Sequence, residues 1–328
     1  MSTIKWGIIG CGDVTEKKSG PPLYKVPNSS LVAVMRRNGE KAADYARRHN
    51  VAKWYNDADK LMDDPEINSV YIASPPGSHL GYALAALKKN LNVYLEKPIT
   101  LNAAEARTIA DAVKQSKGKL SVAHYRRALP MFLYVKELID NGSIGDIRTV
   151  QIRLWQSITP ELVTHVEDNW RIQAEHSGGG YFHDMSPHQL DLMLFYFGEP
   201  QYYSGASLNQ GGTYKVADHA TGHIVFKNKV VVNGSWSFNV APSAAVDLCE
   251  IIGNKGTITF PFFNKPHLVK LENEAGESTK EFKHPEHISQ LMIEKVVNYF
   301  NGDDTNNPCS IEDAIPLMDI MDAFGEWH

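Results

Sequence analysis

Cysteine is scarce in this sequence of 328 residues. The three cysteines, Cys11, Cys249 and Cys309, lie far apart and form no CxxC pair. Disulfide frameworks and zinc knuckles need paired or closely spaced cysteines, so the sequence favours neither. We interpret all three as structural thiols of a protein kept in a reducing compartment.

Long apolar runs are also missing. The longest one near the N-terminus, Trp6 to Cys11, is far shorter than the roughly 20 residues that cross a bilayer. It has none of the flanking pattern of a secretory signal. We therefore expect a cytoplasmic protein that does not bind membranes.

Blocks of like charge do not occur either. Lys and Arg total 33 against 38 Asp and Glu, which gives a net charge of −5, and no run of five like charges is present. Proteins that follow a phosphate backbone carry basic runs or patches. The sequence thus predicts no nucleic-acid partner.

The composition that remains is that of a folded protein. Hydrophobic residues make up 43% and charged residues 22% of the chain, both close to globular averages. At roughly 150 residues per domain, the length predicts two domains.

Residues 1–122 alternate short apolar strands with helical patterns, which predicts an α/β Rossmann domain with a doubly wound parallel sheet. We expect strands at Ile4–Ile9, Leu31–Met35, Ser69–Ser74 and Asn92–Glu96, and helices at Glu40–His49, His79–Lys89 and Ala103–Gln115. The first connecting helix, Asp13 to Lys18, must be short because Ser19-Gly20-Pro21-Pro22 ends it.

From Arg148 onward, apolar and polar residues alternate, which predicts a second, α+β domain over residues 123–328 with an open, mostly antiparallel sheet. The turns Lys227-Asn228-Lys229 and Gly253-Asn254-Lys255 predict two hairpins. Helical patterns cover Met131–Asp140, Pro187–Phe197, Ile288–Phe300 and Ile311–Phe324. Whether the last helix packs on the first domain is left open by the sequence.

The segment Gly10-Cys11-Gly12-Asp13-Val14-Thr15 follows the first strand and opens the first helix. There, glycines permit a tight turn and a close approach of the backbone to a pyrophosphate. We predict a dinucleotide site that includes Gly10, Gly12, Asp13 and Val14. Thr15 replaces the third glycine of the pattern, which predicts weaker packing of the helix on the strand. A purely structural glycine turn is the alternative.

The second strand runs directly into Arg36 and Arg37. An acid about 20 residues beyond the glycines would bind the ribose 2′-OH of NAD, whereas arginine accommodates the 2′-phosphate of NADP. The first acid is Glu40, so the sequence favours NADP over NAD. The alternative is a pair of solvated surface arginines.

Two further strand ends carry polar residues. Ser74-Pro75-Pro76-Gly77-Ser78-His79 follows the third strand, and Glu96-Lys97-Pro98 closes the fourth. Open α/β sheets bind ligands at the carboxyl ends of their strands. Lys97 could there donate a proton to a carbonyl oxygen or, with a pKa lowered by burial, accept one from an alcohol. An exposed lysine without a catalytic role is the alternative.

A glycine triplet, Gly178-Gly179-Gly180, precedes Asp184, His188 and Asp191, whose spacing places them on one face if the segment is helical. Because Pro187 fits only a first turn, the helix could instead start at Ser186, with Asp184 still near His188. The acid would orient the imidazole and raise its pKa for acid–base catalysis. A structural His–Asp pair is the alternative.

No metal site is predicted. A zinc site built from His176, His183 and His188 is disfavoured because their spacing matches no ligand motif such as HExxH.

Taken in order, these segments resemble the Gfo/Idh/MocA oxidoreductase family over most of the chain. The resemblance is carried by Trp6-Gly7-Ile8-Ile9-Gly10-Cys11-Gly12, Val70-Tyr71-Ile72-Ala73-Ser74-Pro75-Pro76 with His79, Glu96-Lys97-Pro98, Tyr125-Arg126-Arg127 before Pro130, Trp170-Arg171, and the glycine triplet with Asp184, His188 and Asp191. It implies an N-terminal Rossmann domain and a C-terminal α/β domain whose open sheet covers the nicotinamide and often makes subunit contacts.

By this resemblance, Lys97, Asp184 and His188 match the family's catalytic positions. Lys97 would polarise the reacting oxygen and touch the nicotinamide ribose, His188 would act as acid or base on the substrate hydroxyl, and Asp184 would orient substrate and imidazole. The departures from the family pattern are Thr15 and Met185-Ser186-Pro187, where the family more often has glycine before the histidine. The expected cofactor contacts are Gly10, Gly12, Asp13, Val14, Arg36, Arg37, Ser74, Pro75, His79, Glu96, Lys97, Arg126, Trp170 and Arg171.

Residues and resemblance together predict an NAD(P)-dependent dehydrogenase or reductase, with NADP favoured, that moves a hydride between the nicotinamide and a sugar, polyol or related carbonyl compound. A dinucleotide-sensing regulator is one alternative, but such relatives typically lose the lysine or histidine that this chain keeps. An NAD-dependent glycosidase is another, and it would prefer an acid where Arg36 and Arg37 stand. We expect a small sugar-like substrate, selected by loops such as Ser157–Asn169 and Asn209–Asp218, and a homo-oligomer, dimer or tetramer, formed through the C-terminal sheet.

Overall fold

The chain divides into two compact units in the computed structural model, which describes residues 3–162 and 169–325. Unit 1 contains the described residues up to Arg126 together with Pro285–Ile315. Unit 2 contains Arg127–His284 and the described residues from Pro316 onward. Residues 163–168, in the predicted specificity loop Ser157–Asn169, lie outside the described residues.

Unit 1 is built on a six-stranded, all-parallel sheet with the order β3-β2-β1-β4-β5-β6. Its strands are β1 Ile4–Ile9, β2 Ser29–Met35, β3 Lys53–Tyr55, β4 Ser69–Ile72, β5 Asn92–Leu95 and β6 Leu120–Val122. The connecting helices are α1 Asp13–Lys17, α2 Pro22–Lys25, α3 Gly39–Arg48, α4 Ala58–Met62, α5 His79–Lys88 and α6 Ala103–Gln115. The predicted doubly wound fold is confirmed, and the strand order reverses between β1 and β4, which is where such sheets bind ligands.

Unit 2 is built on an eight-stranded sheet with the order β14-β13-β12-β11-β7-β10-β9-β8. Its strands are β7 Ile147–Trp155, β8 Pro200–Leu208, β9 His219–Phe226, β10 Val231–Ser237, β11 Val246–Gly253, β12 Gly256–Phe260, β13 Leu268–Asn273 and β14 Gly276–Glu281. Its helices include α7 Pro130–Asp140, α8 Ala174–Ser177, α9 Gly180–Met185 and α10 Pro187–Phe197. Apart from the parallel pair β7 and β10, the strands pair antiparallel, as predicted, and both predicted hairpins form.

The segment after the second sheet belongs to unit 1, where the sequence placed it in the second domain. Helix α11 (Gln290–Asn301) covers β1, with Phe300 packed 5.8 Å from the ring of Trp6, which is fully buried. The Cys309 carbonyl accepts the N–H of Val122 at 2.9 Å, at the edge of the sheet. Burial of apolar side chains therefore adds a segment that is distant in the sequence to the hydrophobic core of unit 1.

The last helix, α12 (Ile311–Gly325), belongs to unit 1 up to Ile315 and to unit 2 from Pro316 onward. In unit 2, Phe324 lies against Gly205 and Gly222, which are neighbours across β8 and β9. A Cβ atom added to Gly205 would come within 2.7 Å of the Phe324 ring. Phe324 therefore fits against the sheet only because Gly205 and Gly222 have no side chains. No helix in the described part of the chain is long and apolar enough to cross a membrane.

Candidate active site

The glycine turn after β1 leaves backbone exposed where a phosphate could bind. Gly10 has φ of +93°, and a Cβ there would lie 2.7 Å from the Ser74 nitrogen, so only glycine fits between β1 and β4. At Gly12 the nearest atom to an added Cβ is the Gly10 carbonyl oxygen, 3.9 Å away, so the space beside it is open. The N–H groups of Thr15 and Glu16 donate to the Gly12 carbonyl, whereas those of Asp13 and Val14 come before the first helical hydrogen bond and have no acceptor within the helix.

Thr15 stabilises this turn through hydrogen bonds to Gly12, and the weaker packing of the helix on the strand expected from the sequence stays a prediction. Thr15 is fully buried, and its hydroxyl donates to the Gly12 carbonyl at 2.7 Å and accepts the Gly12 N–H at 3.0 Å. Gly20 also has no room for a side chain, because an added Cβ would lie 2.0 Å from the Thr15 carbonyl oxygen and 2.5 Å from the Tyr45 hydroxyl. Helix α1 is nevertheless short, as predicted.

The two arginines after β2 differ in their surroundings. Arg36 is half-buried, and its Nη1 reaches the Cys11 carbonyl at 3.5 Å, which places its guanidinium beside the glycine turn. Arg37 is exposed. Asn38 caps α3 by accepting the Lys41 N–H, so the chain turns into helix immediately after the arginines.

His79 holds two strand ends together. Its Nε2 lies 2.7 Å from the Ser74 carbonyl, and its Nδ1 lies 3.1 Å from the Pro98 carbonyl. Burial lowers the pKa of His79 to about 4, so the ring is neutral at physiological pH. The ring is fully buried and both nitrogens face main-chain oxygens, so its contacts are with the two strand ends; the cofactor contact expected from the sequence stays a prediction.

The segment after β5 carries the candidate catalytic lysine of unit 1. Lys97 is half-buried, and its main-chain N–H donates to Glu96 Oε2 at 3.0 Å. The neighbouring β4 end presents Ser74 and Pro75, both half-buried, with the Ser78 hydroxyl donating to Ser74 Oγ at 2.7 Å. Arg126, also in unit 1, is buried with its guanidinium over the Tyr125 ring.

The glycine triplet of unit 2 has a separate cause at each position. Gly178 and Gly180 have φ of +83° and +73°, a region that side chains avoid. Gly179 has no such angle, but its missing side chain leaves the space that the His183 ring occupies. The triplet therefore lets the chain turn sharply into α9.

Helix α9 places Asp184 against a guanidinium. Arg171 Nε donates to Asp184 Oδ2 at 2.6 Å, and both side chains are largely buried. Trp170 stacks on the same guanidinium, with its ring centre 4.6 Å from the Arg171 Cζ. Three of the predicted site residues are thus brought together, and the partner of Asp184 that the sequence did not predict is Arg171.

His188 and Asp191 lie on α10, whereas Asp184 lies on α9. The segment forms two helices that meet at Ser186, because Pro187 has no N–H to continue the hydrogen bonds of α9. His188 is buried in the first turn of α10. Asp191 accepts Nε and Nη2 of Arg127, the latter at 2.7 Å, in a buried ion pair.

Phe263 is a site residue that sequence reasoning missed. Its ring meets the His188 imidazole edge to face, with ring centres 5.5 Å apart. The buried carboxylate of Asp247 holds the Phe263 loop by accepting three main-chain N–H groups, those of Phe262, Phe263 and Asn264. Asp247 lies at the start of the hairpin formed by β11 and β12, and Phe263 lies just after it. No local sequence pattern therefore indicates that Asp247 contacts the Phe263 loop.

The described residues offer neither a metal-binding cluster nor a reactive thiol beside the candidate site. Among the described residues, no three His, Cys, Asp or Glu side chains are grouped so that they could hold a metal ion. All three cysteines are buried. Burial raises the pKa of Cys11 to about 11, so the thiol beside the glycine turn stays protonated.

Comparison with known proteins supports both units. Residues 4–124 match the model of an oxidoreductase family with an NAD-binding Rossmann fold, and residues 132–259 match a GFO/IDH/MocA C-terminal domain. Oxidoreductase P35 from Formosa agariphila is 47% identical over 323 residues, 98% of each chain. The NADP(+)-dependent scyllo-inositol 2-dehydrogenase of Bacillus subtilis is 31% identical over 201 residues, which are 61% of this chain and 54% of that protein.

Solved structures share the fold of the whole chain. The crystal structure of an oxidoreductase from Thermotoga maritima superposes with a TM-score of 0.87 at 22% identity, covering 99% of this chain and 96% of that one. The family models together span most of the chain, and the P35 similarity runs its full length. This protein is therefore a member of the GFO/IDH/MocA family of oxidoreductases.

Proposed function

We propose that this protein is an NADP-preferring dehydrogenase or reductase that moves a hydride between the nicotinamide and a carbon of a sugar, polyol or related carbonyl compound. The observation that carries the proposal is the open glycine turn with Arg36 beside it at the point where the sheet order reverses. The name of the B. subtilis relative, an NADP(+)-dependent inositol dehydrogenase, supports the same cofactor and substrate class.

The residues of unit 1 fit a dinucleotide. The open space at Gly12 would admit the pyrophosphate, and the N-terminus of α1, at Asp13 and Val14, would donate N–H groups to it. Arg36 would bind the 2′-phosphate of NADP with a charge-assisted hydrogen bond, and Arg37 would add positive charge nearby. Ser74 and Pro75 follow β4 and Glu96 follows β5, and these two strands are neighbours in the sheet. A bound nicotinamide supplies or accepts the hydride.

We assign the proton transfer that accompanies hydride transfer, and the binding of the substrate oxygen, to side chains from each unit. In unit 1, Lys97 would hold the reacting oxygen and supply positive charge as the negative charge on it grows. In unit 2, His188 would exchange the proton of the substrate hydroxyl, while Asp184, held by Arg171, would orient the substrate. Arg126, Trp170 and Arg171 are proposed as further cofactor contacts. A neutral polyol fits such a site, because its hydroxyls both donate and accept hydrogen bonds.

The direct test of this function is turnover. NADPH consumption is measured over many cycles with a panel of ketoses, aldoses and osones, and NADP⁺ reduction with inositols and other polyols. We expect at least one compound to support repeated turnover. Cofactor binding with no turnover across both panels would instead favour a dinucleotide-sensing role.

Cofactor preference gives a sharper prediction. We expect NADPH to bind at least roughly tenfold more tightly than NADH, or about 1.4 kcal/mol, because arginine meets the 2′-phosphate. Arg36→Asp should remove that preference in fluorescence titrations of both cofactors. Arg47→Asp, at an exposed position on α3, changes the net charge equally and should leave the ratio unchanged. Equal dissociation constants in the unmutated protein would contradict the assignment.

The expected homo-oligomer, dimer or tetramer, formed through the eight-stranded sheet, stays a proposal, as does the cytoplasmic location. The proposal of a homo-oligomer is supported by the face of the sheet opposite Phe324. Polar side chains that alternate with Gly205, Gly222 and Gly234 point to that face.

A further inference from the structure

A chain of buried polar groups crosses the core of unit 1. Glu96 Oε1 lies 2.5 Å from the Tyr71 hydroxyl, which lies 2.8 Å from the Ser19 hydroxyl. Ser19 donates in turn to the Val14 carbonyl at 3.0 Å. Since the other carboxyl oxygen of Glu96 accepts the N–H of Lys97, the chain joins the peptide of the candidate catalytic lysine to that of the short helix α1.

Counting hydrogens shows which form of Glu96 completes this chain. Three oxygen-to-oxygen contacts each need one hydrogen, and the hydroxyls of Tyr71 and Ser19 supply two. The Val14 carbonyl only accepts, so the third hydrogen must come from the carboxyl group of Glu96. An ionised Glu96 would leave one buried contact with two facing lone pairs and no hydrogen, which is a costly arrangement.

The surroundings favour the same form. Tyr71 and Ser19 are fully buried and Glu96 nearly so. The charged groups that face the carboxyl are the ammonium groups of Lys97 and Lys18, which favour the anion. The phenol of Tyr94, stacked on Tyr71 with ring centres 5.1 Å apart, is the other titratable neighbour. Burial outweighs the two lysines and raises the pKa of Glu96 above its usual range.

We propose that Glu96 acts as a neutral carboxylic acid that positions Lys97 and the dinucleotide-binding helix α1 as one unit. The assignment of those two elements rests on the proposed function, whereas the protonation of Glu96 does not. Glu96 is here a positioning residue: it touches the main chain of Lys97 and reaches α1 through Tyr71 and Ser19. Loss of its proton would break the chain and loosen both elements.

The direction of the pH effect follows from linkage. The pKa of Glu96 is raised in the folded protein above the value of about 4.3 found in unfolded chains. The folded state then binds more protons than the unfolded state between the two pKa values, so the Glu96 contribution to stability is present at low pH and is lost as pH rises through the folded pKa.

Three variants separate this role from a simple loss of packing. Glu96→Gln mimics the neutral acid, because its amide donates to Tyr71 and its carbonyl accepts from Lys97, but it cannot titrate. Tyr71→Phe keeps the ring and removes the link. Tyr94→Phe is the matched control, because the Tyr94 hydroxyl is equally buried and has no hydrogen-bond partner among the described residues.

The measurements are thermal unfolding of the apo protein from acid to alkaline pH and titration with NADPH and NADH. We expect the melting temperature of the unmutated protein to fall relative to Glu96→Gln as pH rises. Tyr71→Phe should weaken cofactor binding by roughly tenfold, as loss of a buried link would. Tyr94→Phe should bind both cofactors within about twofold of the unmutated protein, and Glu96→Gln should lose clearly less cofactor affinity than Tyr71→Phe at the acid end of the pH range. The infrared band of a protonated carboxylic acid should be present in the unmutated protein and absent from Glu96→Gln.

Two results would overturn the proposal. One is a melting-temperature difference between the unmutated protein and Glu96→Gln that does not change with pH, together with no infrared band. The other is a loss of cofactor affinity in Glu96→Gln as large as that in Tyr71→Phe, which would make Glu96 a functional anion. If neither NADPH nor NADH binds the unmutated protein, the proposed function fails, while unfolding and infrared spectra still decide the state of Glu96.

Discussion

Replacing Lys97 by alanine is expected to lower turnover by roughly 10²- to 10⁴-fold, the range for loss of a positioned acid–base group. The lysine stands half-buried where β5 ends, with its peptide held by Glu96, so its ammonium group starts from a defined place. Removing the side chain takes away the charge that would meet the reacting oxygen and leaves the sheet untouched. Binding of NADPH, measured by fluorescence titration, should weaken only modestly.

Two controls interpret that loss. Lys97→Arg keeps the positive charge but does not release a proton at neutral pH, so it should restore cofactor affinity more than turnover. Lys89→Ala removes a lysine that pairs with Asp63 at the surface of the same unit and should change neither. Near-normal turnover of Lys97→Ala on the true substrate would show that this lysine is structural.

Asp184 and His188 are expected to contribute to turnover as one unit. His188→Ala and Asp184→Ala should each lower turnover by roughly 10²-fold or more, and the double variant should be little worse, because residues that act as a unit are strongly non-additive. The measurement is single-turnover hydride transfer per folded molecule. It is needed in that form because Asp184→Ala also leaves the largely buried Arg171 without its anion, which costs about 3–5 kcal/mol in a buried pair.

The second buried ion pair of unit 2 separates the two effects. Asp191→Ala breaks the pair with Arg127 and should lower the melting temperature about as much as Asp184→Ala does. Its turnover per folded molecule should stay nearly unchanged. Rate losses that simply multiply in the Asp184 and His188 double variant would show that the two residues work independently. Loss of melting temperature with intact turnover would make them a structural pair.

The parts of the fold that sequence predicts well are those whose cause is local. The strand Ile4–Ile9 and the helix Ala103–Gln115 form with the predicted bounds, because a buried parallel strand and an amphipathic helix each show their own pattern. Strand β14, Gly276–Glu281, was missed because all its side chains are exposed and none carries an apolar signal. The three-residue strands β3 and β6 are too short to show any period.

The candidate site divides in the same way. The glycine turn and the Lys97 strand end were predictable, because both follow buried strands and so lie at a known edge of the sheet. The partner of Asp184 was not predictable, since Arg171 lies 13 residues away in the chain and the contact depends on how the short 3₁₀ turn Trp170–Ile172 packs on α9. Phe263 reaches His188 only through a loop that Asp247 fixes. Contacts of this kind are set by tertiary packing, which leaves no periodic trace.

The return of α11 to the first sheet has a consequence for how the protein is made. Residues up to Arg126 leave the ribosome first, yet the part of the Trp6 ring that Phe300 covers stays exposed until Phe300 has been synthesised. At roughly 5–20 residues per second, that wait is on the order of ten seconds or more. During it, the nascent first unit exposes the apolar surface that α11 will bury and the β6 edge that Cys309 will pair. The interval exposes the newborn chain to chaperones and to aggregation, and a fragment ending at Arg126 would remain in that exposed state.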